Sequence, residues 1–446
     1  MEFQAQLSCP GTPIDAGSPE GRALLSELSS VFDKIKSGFS NGSIRRLFPE
    51  LRPSDVKINE RDPFLGSMCV GLTLGGRSDA SSLDFVVENS SDFFCSLKTD
   101  GIRYLLCQTT AGGFVFVGRR NELYLPAWSP PISERATLKT IVDGELIVSL
   151  VPGRRGVEFQ LFDTVLFNRE TVVHKIYRER LELCRIFEDD LRFSLPDPPA
   201  IFTKDFYRLK DARVLLEQLA EHPIYHHKTD GLIIARNRFP YLPGRSAGNL
   251  KWKPDSMNSI DFLLVENTEF RHSNKAPFPD PSFFVFECYV GGPRGPVLFD
   301  YCFITDRTQR DQILQDTVEL TLQGVDMRGC IAEVVWDKGL LSPKISQFFW
   351  SFLGFDFDSV KATLSRMVHV PEDGLTTDFL YDFFSRLERR VGLDRTVKGG
   401  WTFMRARTDK AMPNSLSTTL RVLKSMTDQF ISQEKLLAEI DASKTH

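Results

Sequence analysis

What is missing from this sequence narrows it first. Eight cysteines stand at 10, 69, 95, 107, 184, 288, 302 and 330, and no two form a C-x-x-C pair. That spacing excludes a closed zinc site or a disulfide-stapled secreted scaffold and leaves buried thiols in a reducing compartment. No apolar run reaches the ~18 residues that span a bilayer, so no membrane partner is expected. A basic start followed by an apolar stretch is also missing, so no signal peptide is read. Neither charge is in excess: 55 Lys and Arg face 59 Asp and Glu, for a net charge of -4. Nucleic-acid binding would then need a local basic cleft. There is no internal repeat. No G-x-G-x-x-G follows a strand and no G-x-x-x-x-G-K-[ST] occurs, which excludes Rossmann and P-loop phosphate sites.

What is present suits a large core. The chain is 41% hydrophobic and carries 36 Phe, enough for two to three domains. Residues 1 to about 20, rich in Gly, Pro and Ser, read as a disordered tail. Leu24, Leu25, Leu28, Val31, Phe32 and Ile35 recur at helical spacing, predicting a helix over about 21–36. From 60 to 165 short apolar runs alternate with Gly and Asn turns, predicting an antiparallel sheet with functional groups at strand ends. Residues 171–192 and 204–221 have helical texture, 229–235 returns to strand, and Lys251 starts another. A boundary is placed near 265–280. Helical spacing returns at 374–390 and 415–440, and Phe348 to Phe357 reads as core.

Five stretches can carry chemistry. Lys98-Thr-Asp-Gly-Ile-Arg103 sets a lysine beside Asp100, with Gly101 permitting a tight turn to Arg103. An amine attacks only when deprotonated, and neighbouring cations or burial lower its pKa from ~10.4. Arg103, Lys251 and Lys253 would do that for Lys98 if they converge. Glu145 and Asp230, each next to a glycine, can hold a divalent cation or a ribose hydroxyl. Phe162 can stack on a base. Lys251 and Lys253, two apart, share one face of a strand and suit phosphate oxygens, with Trp252 on the other side. Arg405, Arg407 and Lys410, with Asp409 among them, form a second basic group. Each stretch alone is more often an ordinary solvated turn or core residue; their number tips the balance. Cys288 to Arg294 matches the C-x5-R spacing of cysteine phosphatases, but Glu287 stands where a histidine is usual, so it is read as strand plus turn.

Together these stretches resemble the mRNA capping guanylyltransferases, members of the covalent nucleotidyltransferases that include ATP-dependent DNA and RNA ligases. The resemblance spans about 60–430. Lys98 to Arg103 is similar to the first family motif, Phe116 to Tyr124 to the third, Asp143-Gly144-Glu145 to the next, Thr229 to Ile233 to the fourth, and Leu250 to Pro254 to the fifth. Trp401 to Asn414 is the long form that resembles capping enzymes rather than ligases. Gly118 stands where an aspartate usually precedes the third motif's arginine, so either Arg119 keeps the ribose role with less fixing from a neighbour or Arg120 substitutes for it.

The resemblance implies an α+β fold: a nucleotidyltransferase domain of antiparallel sheets and helices over 21–270, an OB-fold domain over 271–415, and a C-terminal helix over 416–446. It implies that Lys98 takes GMP from GTP and passes it to a 5'-diphosphate RNA end. Lys251 and Lys253 would hold the α-phosphate, and Arg405, Arg407 and Lys410 the outer phosphates. Asp100, Arg103, Arg119, Glu145, Phe162, Lys228, Asp230 and Asp409 would line the nucleotide site, with Mg²⁺ or Mn²⁺ near Glu145 and Asp230. A separate RNA 5'-triphosphatase, the phosphorylated tail of RNA polymerase II and the nucleus are the implied partners and compartment. An ATP-dependent polynucleotide ligase and a catalytically silent scaffold are the rival readings.

Overall fold

The computed structural model describes residues 10–343 and 396–443, apart from 41, 53–54, 58–63, 152–153, 196–199, 222–226, 255–256, 268–283 and 427–430. The expected elements at 348–357 and 374–390 lie outside the described residues. The chain divides into two units, 1–253 with 433–446, and 254–432.

The first unit opens with β1 (Thr12–Ile14), α1 (Pro19–Ser40), α2 (Ser43–Leu47), β2 (Val56–Lys57), β3 (Ser67–Gly71) and α3 (Leu83–Glu88). Then come β4 (Phe93–Thr99), β5 (Ile102–Thr109), β6 (Phe114–Val117), β7 (Leu123–Leu125), β8 (Leu138–Val151), β9 (Arg154–Phe167) and β10 (Glu170–Thr171). It continues through α4 (Tyr177–Ser194), β11 (Ile201–Thr203), β12 (Tyr207–Arg208), α5 (Ala212–Glu221), β13 (Thr229–Arg236) and β14 (Gly244–Trp252).

One sheet runs β1-β7-β6-β5-β8-β9-β10, with β11 parallel on β9. Its two faces follow the period of two along each strand. Leu105 and Cys107 of β5 join the core under α1, with Leu24, Leu28, Phe32 and Ile35 of that helix. Tyr104 and Leu106 point the other way, into the core with Cys184, Phe187 and Leu191 of α4. The helical spacing of α1 is therefore the spacing of its buried stripe. The second sheet runs β12-β4-β13-β14-β2, with β3 parallel on β14.

The second unit holds β15 (Ser259–Glu266), β16 (Phe284–Gly291), β17 (Pro296–Ile304), α6 (Arg307–Gln315), β18 (Val318–Leu322), β19 (Val325–Pro343), β20 (Thr396–Ala406) and α7 (Leu416–Met426). Its sheet runs β15-β16-β17-β20-β19-β18, with an additional β15–β19 pairing. Trp401 is fully buried, its ring 5.5 Å from Phe262 and 5.2 Å from Trp336. Leu416 and Leu423 of α7 pack on the same core.

Four expectations change. The domain division falls at Lys253/Pro254 rather than near 270, because β15 pairs with β16 and β19. Thr12–Ile14, placed in a disordered tail, is a strand paired to β7, and α1 already starts at Pro19. The C-terminal helix is two helices. α7 belongs to the second unit, but α8 (Gln433–Ala442) returns to the first, where Leu436, Leu437 and Ile440 are buried and Asp441 pairs with Arg213 of α5 at 2.6 Å. Finally, Asp143-Gly144-Glu145 sits within the continuous strand β8, not at a strand end. Cys288 is buried in β16, and burial pushes its thiol well above the usual range, which removes it as a nucleophile. Among the described residues no helix is long and apolar enough to cross a membrane.

Candidate active site

Lys98 lies one residue from the end of β4, beside β13. The pairing of these strands slips there: Thr229 faces Thr99, and the next pair is Leu232 with Leu97. Asp230 and Gly231 therefore oppose Lys98 alone, a bulge that re-aims a side chain. Gly231 has φ of 143°, and a Cβ on it would lie 2.0 Å from the Trp252 carbonyl oxygen. Only glycine allows β14 to come that close. The result is a bridge. Lys98 Nζ donates to Asp230 Oδ1 at 2.7 Å, and Lys253 Nζ lies 2.7 Å from Asp230 Oδ2.

β5 and β8 supply the next layer. Arg103 stands opposite Glu145 in their register. A Cβ at Gly101 would meet the Leu146 carbonyl at 2.3 Å and Glu145 Cγ at 2.8 Å, so that turn too needs glycine. Glu145 accepts a short hydrogen bond from Thr99 Oγ1, and Thr99 Oγ1 accepts one from Lys204 Nζ at 3.1 Å. Asp100 N–H donates to the Lys228 carbonyl at 3.0 Å, which places exposed Lys228 beside the lysine turn.

Arg103 is committed elsewhere than to the lysine. Its Nε donates to Asp143 Oδ1 at 2.8 Å and its Nη2 to Asp143 Oδ2, while Tyr241 Oη donates to that carboxylate at 2.6 Å. The remaining nitrogen, Nη1, faces Met68 Sδ at 4.0 Å, a weak acceptor that leaves donor capacity for a ligand. The guanidinium also lies over the rings of Phe64 and Phe162. Phe162 is half-buried. Arg119 sits on the turn closed by the Asn121 N–H to Gly118 carbonyl bond, beyond β6. Val117 pairs with Leu105, so this turn lies at the Arg103 end of β5.

The electrostatics differ from expectation in one respect. Burial works to lower the Lys98 pKa, but Asp230, Glu145 and Asp100 outweigh it and the net shift is upward. The neighbouring cations do not prime this amine, because the carboxylates around it prevail. Burial likewise opposes the Asp230 charge, yet Lys98 and Lys253 hold that carboxyl below its ordinary range. Two other lysines are the depressed ones. Burial pushes Lys204 down to about 8, with Lys98 repelling it and Glu145 opposing the shift. Desolvation and the charges of Lys253 and Lys98 push Lys251 down to about 8. Its side chain reaches solvent, so repulsion among three ammonium groups carries much of that shift. Trp252, between the two lysines, is buried on the opposite side as its alternation requires.

The structure thus gathers Lys98, Asp100, Glu145, Asp230, Lys251 and Lys253 around one polar cluster, with Arg103 held by Asp143 and Phe162 against the Arg103 guanidinium. Lys204, Thr99 and Tyr241 are the members that motif spacing missed. Lys204 follows the short strand β11 with no pattern around it, and tertiary contact alone brings it to Thr99.

Comparison with known proteins settles the family. The profile described as mRNA capping enzyme, catalytic domain, matches residues 81–255, and mRNA capping enzyme, C-terminal domain, matches 385–437. The chain belongs to the mRNA-capping-enzyme family. Its relatives include a Candida glabrata protein called mRNA-capping enzyme subunit alpha, 24% identical over 76% of this chain and 73% of that one. A Yarrowia lipolytica protein of the same name is 30% identical over 39% of this chain and 48% of its own length. The chain thus spans about half the length of the latter. A mycobacterial DNA ligase D complexed with ATP and MES covers 65% of this chain and 92% of its own at 12% identity and a TM-score of 0.34, too loose a likeness to bear on function.

The remaining capping-enzyme motif lies in the second unit and is ion-paired there. Arg405 Nε donates to Glu333 Oε2 at 2.7 Å. Arg407 spans Asp261 at 3.0 Å and both Asp409 oxygens at 2.8 Å. Lys410 bonds Asp261 Oδ2. Desolvation opposes the Arg407 charge, but these carboxylates prevail and raise its pKa. Asp409 therefore acts here as a brace for Arg407.

Proposed function

We propose that this protein is an mRNA guanylyltransferase that moves GMP from GTP to the 5'-diphosphate end of nascent RNA through a lysine-bound intermediate. The observation that carries the reading is the Lys98–Asp230–Lys253 bridge, a nucleophile and a phosphate-binding amine on one carboxylate, in a chain of the capping-enzyme family.

In the first half-reaction Lys98 Nζ gives a proton to solvent and attacks the α-phosphorus. The N–P bond forms, the α–β phosphoanhydride bond breaks, and pyrophosphate leaves with the electron pair. In the second, a terminal oxygen of the RNA diphosphate attacks the same phosphorus and the N–P bond breaks, restoring Lys98. Lys251 and Lys253 take the α-phosphate oxygens, where two amines offset the charge that builds in the transition state. Asp230 orients both Lys98 and Lys253 beforehand. Arg103 through Nη1, Arg119 and Glu145 receive the ribose, Phe162 the purine and Lys228 the guanine edge, while buried Lys204 braces Glu145 through Thr99. Arg405, Arg407 and Lys410 take the outer phosphates after trading their carboxylates for them.

A divalent cation, Mg²⁺ or Mn²⁺, would supply further charge neutralisation at the phosphates. The donor set fits holding by Glu145 with phosphate oxygens, as a hard cation accepts one carboxylate plus substrate oxygens. It does not fit Asp230, whose two oxygens already bind ammonium groups. Among the described residues no group of three potential ligands is found.

The second unit is read as an OB-fold. Supporting this are the β15-β16-β17-β20-β19 path, the parallel β17–β20 pair and the additional β15–β19 pairing. The RNA end must first lose its γ-phosphate, so an RNA 5'-triphosphatase is the partner reaction. The phosphorylated RNA polymerase II tail and the nucleus complete the proposal.

The test is covalent labelling. Protein is incubated with GTP or ATP radiolabelled in the α-phosphate, with Mg²⁺ or Mn²⁺ and without RNA, beside Lys98→Ala. A label from GTP alone, stable to denaturation and base, labile to acid and absent in the variant, is expected. Labelling by ATP alone would make the protein a ligase. No label from folded protein would leave the silent scaffold.

A further inference from the structure

Phe64 stands before β3, outside every motif of the nucleotide pocket, and is buried. The Arg103 guanidinium carbon lies 5.0 Å from its ring centroid and 5.1 Å from that of Phe162. The Arg103 guanidinium is anchored along the edge that carries Nε and Nη2. Two of its nitrogens are fixed to the two oxygens of Asp143, which is itself wholly buried. Tyr241 Oη donates to the same carboxylate at 2.6 Å and accepts the Ser67 N–H at 3.1 Å, tying the assembly back to β3. Tyr177 Oη donates to the Phe162 carbonyl at 2.8 Å, which fixes the Phe162 backbone but not its ring.

A cation over an aromatic face is held by the ring quadrupole, most strongly where both are out of water. Such contacts restrict the Phe162 ring before a ligand arrives. A ring already held loses less rotamer freedom when a flat ligand stacks on it. We propose that Phe64 is a positioning residue for nucleotide binding, acting through Arg103 to hold Phe162 in place as the purine platform. The proposal rests on the reading of Phe162 as the surface that takes the purine.

Phe64→Leu keeps an apolar side chain and removes the π face. Binding of GTP and of inorganic tripolyphosphate, which has no base, is measured by calorimetry on the full chain. The proteins are wild type, Phe64→Leu, Phe162→Leu and the double variant. Phe64→Leu should weaken GTP binding about five- to thirty-fold, leave tripolyphosphate unchanged, and add nothing in the Phe162→Leu background. Additive losses in the double variant would overturn the proposal, as would an equal loss for tripolyphosphate. Phe162→Leu binding GTP normally would instead sink the platform reading itself. Phe64→Met serves under the same criteria if Phe64→Leu does not fold.

Discussion

Lys98 and Lys253, far apart in sequence, share one carboxylate: each ammonium lies 2.7 Å from a different oxygen of Asp230. The carboxylate aligns the nucleophile and at the same time keeps it protonated. Attack therefore requires that a proton first be drawn off Lys98, against the pull of its anionic neighbours.

A pH signature follows from this pairing. Asp230 raises the Lys98 pKa, so the reactive amine appears only as pH rises through the alkaline range. Asp230→Asn removes that pull and should move the rising limb of the single-turnover labelling rate to lower pH. The rate at neutral pH should still fall about 100-fold, because orientation is lost. Rapid-quench labelling across the alkaline range reads both, and an unmoved limb would contradict the assignment.

Lys204 makes an opposite prediction for stability. Its folded pKa, about 8, lies below the unfolded 10.5. Between these values the unfolded chain binds more protons, so stability rises with pH there, and the cost is fully present below about 8. Lys204→Met should raise stability at neutral pH by up to about 3 kcal/mol. The gain should fade as pH climbs toward 10.5. Urea midpoints at several pH values would show it.

Gly231→Ala should uncouple the two lysines. A Cβ would collide with the Trp252 carbonyl and meet a positive φ, costing about 1–3 kcal/mol of strain. β14 would shift and carry Lys253 off Asp230. Loss of labelling, with the fold retained by circular dichroism, is the expected outcome.

Arg180 and Asp163 form a buried pair beneath the site, bonded at 2.7 and 3.1 Å, and Arg180 also reaches the Lys175 and Phe239 carbonyls. Arg180→Met would strand the carboxylate and two acceptors. A loss of about 3–5 kcal/mol in chemical denaturation is expected. Asp163 already has its pKa pushed up by burial despite Arg180, so the variant should be relatively less impaired at mildly acid pH, where the orphaned carboxyl can protonate.

Much of the site could be read in advance because its chemistry is local. Lys98 and Asp230 sit in short motifs whose glycines have a steric reason, shown by the close approaches at Gly101 and Gly231, and Lys251 and Lys253 in one set by their spacing of two along the chain. Arg103 shows the limit of such reading. Its motif put it beside Lys98, but long-range contacts commit it to Asp143, with Tyr241 bonded to the same carboxylate. Lys204 was invisible because a lone lysine after a three-residue strand has no period to betray it.

By itself the sequence determined the α+β class, the amphipathic α1, the alternation that divides the sheet's two faces, and the family through its motif set. These depend on spacing of 2 or 3.6 residues and on turn chemistry, which neighbours in the chain decide. Tertiary structure alone decided the division at Lys253/Pro254, the return of α8 to the first unit, and the protonation balance at Lys98. Those depend on which strand edge is left to pair and which charge lies nearest in space. Both are sums over residues up to hundreds of positions apart, and no local pattern encodes them.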